Sequence, residues 1–224
     1  MSMLFDELKL FADDQPHQAA LNMGIDEALL RSAQCPIMRV YQWSAPAISF
    51  GYSMCFHEAV RHFGDRFDYV RRWTGGGMVA HGEDWTYSLI VPKTRLASHW
   101  SPSEWYGRVH GELAAALNNA GISAELAVES ASGFGGACFE RPVSCDVMRN
   151  GQKLAGAAMR YSSIGLLLQG SVQGVPVPGD FDVSFAQRLA CRMESRAALP
   201  KCVATAAEQL SREKYGTEAW LRRR

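Results

Sequence analysis

Apolar residues recur along this chain with two spacings, and each spacing predicts one type of secondary structure. From Leu21 to Ala33 they recur at helical spacing, which predicts a helix. Asp26 and Glu27 are expected near the start of that helix, where the helix dipole favours acidic side chains. Short apolar runs between turn-forming residues predict an edge strand at 3–11 and further strands at 37–43, 47–50, 67–70, 86–91, 122–128 and 164–172.

The second half of the chain adds a hairpin and further helices. Asn150-Gly151 is a strong two-residue turn signal, so the strands 145–148 and 153–159 on either side of it should pair. Gly121 marks the end of the helix that precedes it. Helices are predicted at 103–119, 182–198 and 204–221, and the small residues of 129–136 predict a loop.

The composition is that of an ordinary globular domain. The 224 residues are 47% hydrophobic and 21% charged, and 23 basic residues balance 23 acidic ones. This balance gives no field that would attract nucleic acid or an anionic membrane, and no apolar run approaches the roughly 20 residues that span a bilayer. The N-terminus does not resemble a secretory signal, and the six cysteines show neither zinc-site nor disulfide-framework spacing. We expect one domain over residues 1–224, in the cytoplasm, as a monomer without a bound metal.

Residues 71–81 combine features that suit an anion or acyl-group site. The stretch reads Arg71-Arg72-Trp73-Thr74-Gly75-Gly76-Gly77-Met78-Val79-Ala80-His81. Consecutive glycines let the backbone approach a ligand closely, their N–H groups can bind an anion, and an arginine adds a planar charged fork. The glycine spacing matches neither a Walker A loop nor a dinucleotide-binding fingerprint. A glycine-rich hairpin with two solvated arginines is the structural alternative.

This stretch resembles a hallmark of the biotin/lipoate protein ligase superfamily, whose lipoate branch carries Arg-Arg-x-(Ser/Thr)-Gly-Gly-Gly-x-Val-x-His. A second motif of that branch, an Asn-Met-x-x-Asp-Glu-Ala-Leu-Leu helix, is matched by residues 22–30. The resemblance covers about residues 21–173 and leaves the predicted helices of 182–221 without a motif. It implies an α/β (α+β) fold with a mixed, largely antiparallel central sheet flanked by helices, like that of class II synthetases and biotinyl protein ligases.

Lys153 begins the strand after the predicted hairpin turn, where a lysine is usually a solvated edge charge. The second hallmark of the family, Lys-(Ile/Leu)-x-Gly-(Ser/Ala)-Ala, is matched by residues 153–158. The resemblance implies that Lys153 contacts the acyl carbonyl or carboxylate and that Asp146 is the acidic residue before the turn. Relatives commonly carry a histidine on the next strand, where this chain has Leu168 and Gln169. The role of that histidine is therefore absent here or is filled by another residue.

Two chemistries share this scaffold. Transferases take an octanoyl group as a thioester from acyl carrier protein, need no cofactor, and in one subgroup hold the group on a cysteine in a Cys-Phe-x-x-Pro context. Residues 138–142 match that context, although most free cysteines are small buried thiols. Ligases instead activate free lipoate or octanoate with ATP and Mg²⁺, and Gly77 as the third glycine is the ligase-like choice. Both chemistries modify one lysine of a lipoyl carrier domain, such as the glycine cleavage H protein or a 2-oxoacid dehydrogenase E2.

We predict that the motif residues converge on one pocket. Cys138 and Lys153 are the candidate catalytic residues, and Asp146 and Ser171 are candidate supports. The candidate acyl- or nucleotide-binding residues are Arg72, Gly75, Gly76, Gly77, Met78, Val79, His81, Gly156 and Ala157. The resulting function is transfer of an octanoyl or lipoyl group through Cys138, with Lys153 stabilising the acyl carbonyl. An ATP-dependent lipoate-protein ligase and a non-catalytic protein that binds a lipoyl domain or an acyl chain are the alternatives.

Overall fold

The computed structural model describes residues 3–97, 99–128, 143–196 and 198–223. Its strands are β1 Phe5–Ala12, β2 Ile37–Tyr41, β3 Ala47–Phe50, β4 Asp68–Arg71, β5 Met78–His81, β6 Trp85–Pro92, β7 Glu125–Leu126, β8 Val147–Arg149, β9 Gln152–Ser162, β10 Gly165–Val172 and β11 Ala190–Arg196. Its helices are α1 Ala19–Ser32, α2 Phe56–Phe63, α3 Pro102–Asn119, α4 Phe181–Leu189, α5 Lys201–Leu210 and α6 Glu218–Leu221, with a 3-10 turn at Lys93–Arg95 and a π-helical turn at Ser211–Tyr215. None of the helices in these ranges is long and apolar enough to cross a membrane.

Within the described residues, eight strands form one sheet in the order β11-β1-β2-β6-β10-β9-β8-β7. Strands β11, β1 and β2 run parallel to one another, and the pairs that follow from β2 to β7 are antiparallel. A smaller sheet, in the order β4-β3-β5, carries the glycine motif between β4 and β5. The expected mixed, largely antiparallel sheet flanked by helices is therefore confirmed.

Helices cover both faces of the large sheet, so both faces of strand β10 are buried. Side chains alternate across a strand, so Leu166 and Leu168 enter one core cluster and Leu167 enters the other. The first cluster joins the sheet to α3 and α4, through residues such as Trp105, Leu113, Phe181 and Phe185. The second joins it to α1 and α5, through Ile25, Leu29, Val203 and Ala207. Because both faces are buried there, β10 carries three consecutive leucines at 166–168 in place of an alternating pattern.

Local sequence signals predict several elements correctly. Asn150 and Gly151 both have positive φ, 51° and 76°, as a two-residue hairpin turn of this type requires. They join β8 to β9 in the expected antiparallel pair. The predicted strand 47–50 coincides with β3, and α3 begins one residue before the predicted position, at a capping box formed by Ser101 and Glu104.

The expectation for Asp26 and Glu27 is wrong. Helix α1 begins at Ala19, so both residues lie in its middle and are fully buried. Long-range ion pairs with Arg39 and Lys214 hold them there, at 2.8 Å and 2.5 Å respectively. The helix dipole acts mainly on the first and last turns, so it does not account for these two positions.

Expectations that depended on long-range pairing also fail. The predicted edge strand β1 lies inside the sheet between β11 and β2. The predicted helix 182–198 is α4 only as far as Leu189, after which 190–196 becomes β11 and pairs with β1. The predicted helix 204–221 is interrupted by the π-helical turn, and the predicted strand 122–128 shortens to β7. Helix α2 was not predicted, and the 129–136 loop lies outside the described residues.

Candidate active site

A narrow cavity lies between the large sheet, the small sheet and helix α1. Among the residues predicted for the site, the cavity is lined by Arg72, Val79, His81, Lys153, Gly156, Ala157 and Ser171. Its other walls come from residues that were not among the predicted site residues, namely Met23, Tyr41, Trp43, Ser49, Thr86, Ala158, Gln169 and Gly170.

The remaining predicted site residues have other positions. Met78 packs with Phe50 and Ala59 against the small sheet, so it contributes to the core there and not to the cavity wall. Gly75, Gly76 and Gly77 do not line the cavity, but Arg72, which does, binds the carbonyl oxygens of Gly75 and Gly77. Asp146 lies behind Lys153 and pairs with it. Residue 138 lies outside the described residues, so the predicted cysteine nucleophile has no position here.

Arg72 holds the glycine loop in place. Its Nη2 donates hydrogen bonds to the carbonyl oxygens of Gly75 at 3.0 Å and Gly77 at 2.9 Å, and its Nη1 donates to Ser49 Oγ at 2.7 Å. Arg72 is 4% exposed and Arg71 is fully buried. This burial excludes the alternative of a glycine hairpin with two solvated arginines. The guanidinium of Arg72 therefore fixes the conformation of the glycine loop.

Two glycines allow the loop to pack this closely. Gly76 has a φ of 82°, a conformation that side chains with a Cβ rarely adopt. Gly51, at the end of β3, faces it, and a Cβ at Gly51 would meet the Gly76 carbonyl oxygen at 2.0 Å. No larger residue fits at position 51 without displacing the loop backbone.

His81 belongs to a buried hydrogen-bond chain at the cavity wall. Its Nδ1 lies 2.7 Å from Asp84 Oδ2, and its Nε2 lies 2.7 Å from Ser49 Oγ. Burial lowers the pKa of His81, and the Arg72 charge acts in the same direction against the opposing effect of Asp84. In the neutral imidazole the nitrogen facing the carboxylate must carry the proton. Nε2 then accepts from the Ser49 hydroxyl, and the Trp43 ring stacks on the imidazole at 4.1 Å.

Asp84 joins this chain to two strands of the large sheet. Its Oδ2 also accepts hydrogen bonds from Thr86 on β6 at 2.8 Å and from Ser171 on β10 at 2.7 Å. Burial alone would raise the pKa of Asp84, but the hydrogen bonds and charge of His81, with a further bond from Ser171, lower it to about 2. Asp84 is therefore ionised at neutral pH. The predicted support residue Ser171 acts on the cavity through this carboxylate.

Lys153 is not a solvated edge charge. Its side chain is 5% exposed, and its Nζ lies 2.8 Å from Asp146 Oδ2. The chain passes directly over Gly156, where a Cβ would lie 2.4 Å from Lys153 Cε and 2.6 Å from its Nζ. Glycine at position 156 is therefore required for the lysine to reach the cavity wall in this position.

Gln169 connects helix α1 with the glycine loop. Its Nε2 donates to Asp26 Oδ2 at 2.7 Å, and its Oε1 accepts from Thr74 Oγ1 at 2.8 Å. Asp26 is in turn paired with Arg39 and accepts from Ser88. The acidic residue of the helix motif is thus a structural support, and Gln169 extends that support to the loop.

Sequence reasoning missed Ser49, Asp84 and Gln169 as parts of the site. Ser49 is a polar residue inside the buried strand β3, where all neighbouring positions are buried too. A buried polar residue normally has a hydrogen-bond partner, and that rule is the signal that could have marked it. Gln169 has no comparable local signal, because its partners Asp26 and Thr74 lie far away in the sequence. Asp84 was overlooked although its partners His81 and Thr86 lie within three residues of it.

Comparisons with known proteins agree with this architecture. The model of the lipoyl protein ligase A/B catalytic domain matches residues 18–196. An octanoyltransferase LipM from Oceanobacillus iheyensis is 32% identical over 167 residues, which make up 71% of this chain and 61% of that relative. The chain therefore matches less than two thirds of that relative's length.

Solved structures share the fold at lower identity. Protein Ta0514 from T. acidophilum, with bound lipoic acid, superposes with a TM-score of 0.73 at 19% identity, covering 96% of this chain and 98% of that one. A lipoate-protein ligase A bound with ATP superposes with a TM-score of 0.71 at 21% identity, covering 97% and 98%. Since the family model spans most of the chain, this protein belongs to the lipoyl protein ligase A/B catalytic domain family.

Proposed function

We propose that this chain transfers an octanoyl or lipoyl group to the acceptor lysine of a lipoyl carrier domain. The proposed donor is acyl carrier protein, the proposed carrier of the group on the enzyme is Cys138, and Lys153 binds the acyl carbonyl. The similarity to an octanoyltransferase LipM supports this choice of reaction. The proposed place of action is the cytoplasm, where the scattered cysteines stay reduced.

The single observation that carries the proposal is the buried ammonium of Lys153 at the wall of the cavity. Attack on a thioester carbonyl makes a tetrahedral oxyanion, and a fixed donor in a site that excludes water stabilises it. Removing one such donor typically costs about 3–4 kcal/mol in the activation barrier. Asp146 and Gly156 hold the ammonium in one position, so little reorganisation is needed when the charge develops.

The opposite wall suits an aliphatic chain. Met23, Tyr41, Trp43 and Val79 present mainly apolar surface to the cavity. Burying the methylene groups of an acyl chain is favourable by about 0.8 kcal/mol each. The bound lipoic acid in protein Ta0514 supports an acyl group of this class in a protein of the same fold.

The proposed reaction has two steps. The Cys138 thiolate attacks the carbonyl carbon of the donor thioester, a C–S bond to Cys138 forms, the C–S bond to the carrier breaks, and the carrier leaves as a thiolate. The amine of the acceptor lysine then attacks the enzyme thioester, an amide forms, and the amine proton passes to the departing Cys138 sulfur. Splitting the transfer in this way avoids bringing two bulky carriers together at once.

Chain length is compatible with Cys138 in this role. Cys138 lies five residues before Val143 in the sequence. The Val143 N–H donates to Asp146 Oδ2 at 2.7 Å, next to Lys153. Cationic groups such as Lys153 and Arg72 favour the thiolate form of a nearby cysteine.

An ATP-dependent lipoate-protein ligase is the second candidate. The third glycine, Gly77, and the ATP-bound lipoate-protein ligase A of the same fold favour it. In that case ATP and Mg²⁺ would be required, Arg72 and the loop would face the adenylate phosphate, and Cys138 would have no role.

The experiment combines the purified protein, octanoyl-acyl carrier protein and a lipoyl domain without ATP, and follows the mass of the lipoyl domain. The proposal predicts a gain of one octanoyl group, and a folded Lys153→Ala variant should give none. Modification that appears only with free octanoate and ATP would establish the ligase instead. Binding of the lipoyl domain without modification under either condition would indicate a non-catalytic binding protein.

A further inference from the structure

Helix α3 forms a buried support behind Lys153. The Tyr106 hydroxyl donates to Asp146 Oδ1 at 2.5 Å, while Asp146 Oδ2 pairs with Lys153 Nζ at 2.8 Å. The same hydroxyl accepts a hydrogen bond from the Ala157 N–H at 3.1 Å. One hydroxyl thus links the turn that carries Asp146 with the strand that carries Lys153.

We propose that Tyr106 is a positioning residue for the acyl transfer and acts on Lys153 through Asp146. The inference rests on the proposed function, because it takes Lys153 as the group that meets the acyl carbonyl. A carboxylate can rotate about its last side-chain bond, and the donor at Oδ1 stops that rotation. Oδ2 is then kept facing the lysine, and Lys153 stays above Gly156.

The turn before Asp146 is held by the same face of α3. Cys145 has a φ of 68°, which is uncommon for a residue with a side chain and persists only where its surroundings fix it. His110, one helical turn after Tyr106, contacts the Cys145 carbonyl oxygen through Nδ1 at 2.7 Å. A Cβ at Gly107 would lie 3.2 Å from Cys145 Sγ, so a small residue there leaves room for the thiol.

The protonation states keep this support in one form near neutral pH. Burial and the neighbouring Asp146 raise the pKa of Tyr106 well above its ordinary value, so its hydroxyl stays a donor. Burial lowers the pKa of His110 to about 4, so the imidazole is neutral. Since a carbonyl oxygen only accepts, the proton lies on Nδ1 and is donated to Cys145.

The position of Tyr106 separates this role from substrate contact. Its side chain is largely buried, and it is not one of the described residues that line the cavity. It therefore offers little surface to an acyl chain or to a carrier protein. Loss of its hydroxyl should lower kcat and leave the affinity for both carriers unchanged.

The test replaces Tyr106 by Phe and uses Tyr215→Phe as the matched control. Tyr215 is also a buried tyrosine that donates to a buried carboxylate, Glu27 Oε2 at 2.6 Å, but it does not line the cavity within the described structure. Tyr106→Phe should lower kcat by about 10- to 100-fold, the range expected for a lost hydrogen bond to a charged group. KM for both carriers should stay the same, and Tyr215→Phe should keep full kcat.

Two further measurements complete the test, and the first of them does not depend on the proposed function. Trace acetylation of Lys153, measured by peptide mass, should rise several-fold in Tyr106→Phe and stay unchanged in Tyr215→Phe. In an Asp146→Asn background, itself expected to lose kcat, Tyr106→Phe should cost little more. Unchanged kcat and unchanged acetylation of Lys153 in Tyr106→Phe, or full kcat in folded Asp146→Asn, would overturn the inference. If the wild-type protein transfers no acyl group while acetylation of Lys153 still rises in Tyr106→Phe, the proposed function alone would be refuted.

Discussion

Gly156→Ala places one methyl group directly under the side chain of Lys153. The added Cβ would lie 2.4 Å from Lys153 Cε, 2.6 Å from Nζ and 3.1 Å from Asp146 Oδ1. Carbon atoms in contact are normally at least about 3.5 Å apart, so Cε must move by about 1.1 Å. A lysine side chain is flexible and can make this movement without displacing the backbone. The change is therefore expected to move the lysine and to leave the fold intact.

The displacement is large enough to affect the reaction. The distance from Lys153 Nζ to Asp146 Oδ2 is 2.8 Å in the native protein, so a shift of this size takes it out of hydrogen-bonding range. A misplacement of about 1 Å in a reacting group can reduce a rate by about 100-fold. We expect kcat for octanoyl transfer to fall by about that factor, with KM for the lipoyl domain unchanged. Initial rates from the mass of the lipoyl domain measure both quantities.

Gly111→Ala is the matched control for this change. Gly111 lies within α3, and a Cβ there meets no atom within 4 Å. Glycine inside a helix costs about 0.5–1 kcal/mol relative to alanine, so this variant should be slightly more stable and fully active. Full activity in a folded Gly156→Ala protein would refute the reasoning, because Lys153 would then work from a different position.

Two further predictions concern buried carboxylates. The pKa of Asp84 is lowered from 3.8 to about 2, so its ionised form adds about 2 kcal/mol to the free energy of unfolding above pH 3.8, and this is lost as the pH falls through about 2. Urea unfolding of Asp84→Asn and the native protein should show a difference that shrinks over this window, and a constant difference would contradict the assignment. Glu27→Gln leaves Lys214 facing a neutral amide in place of a buried carboxylate 2.5 Å away. It should lower the free energy of unfolding by about 3 kcal/mol and speed proteolysis after residue 210, whereas unchanged proteolysis would contradict this role.

Local signals explain what the sequence predicts well. The Asn150-Gly151 turn and the capping box of Ser101 are encoded within a few residues, so they survive in any surrounding structure. Strand β11 has no such signal. Its partner β1 lies about 185 residues earlier in the chain. This tertiary contact overrides the local preference of residues 190–196 for a helix.

The candidate site was also predicted only in part. Glycine spacing and resemblance pointed to Arg72 and Lys153, and both line the cavity. They did not indicate that Arg72 would bind the loop's own carbonyls, or that Tyr106 would stand behind Lys153. Those contacts depend on how α3 and the small sheet pack against the large one, and no spacing in the sequence reports that packing.

The most direct test of the proposed reaction is the intact mass of the enzyme itself after incubation with octanoyl-acyl carrier protein in the absence of ATP. Our account predicts a gain of one octanoyl group, located on Cys138 by peptide mapping and removed by hydroxylamine. The gain should be absent in Cys138→Ser. No gain in mass, together with octanoate-dependent exchange of pyrophosphate into ATP that is undiminished in Cys138→Ala, would contradict the account.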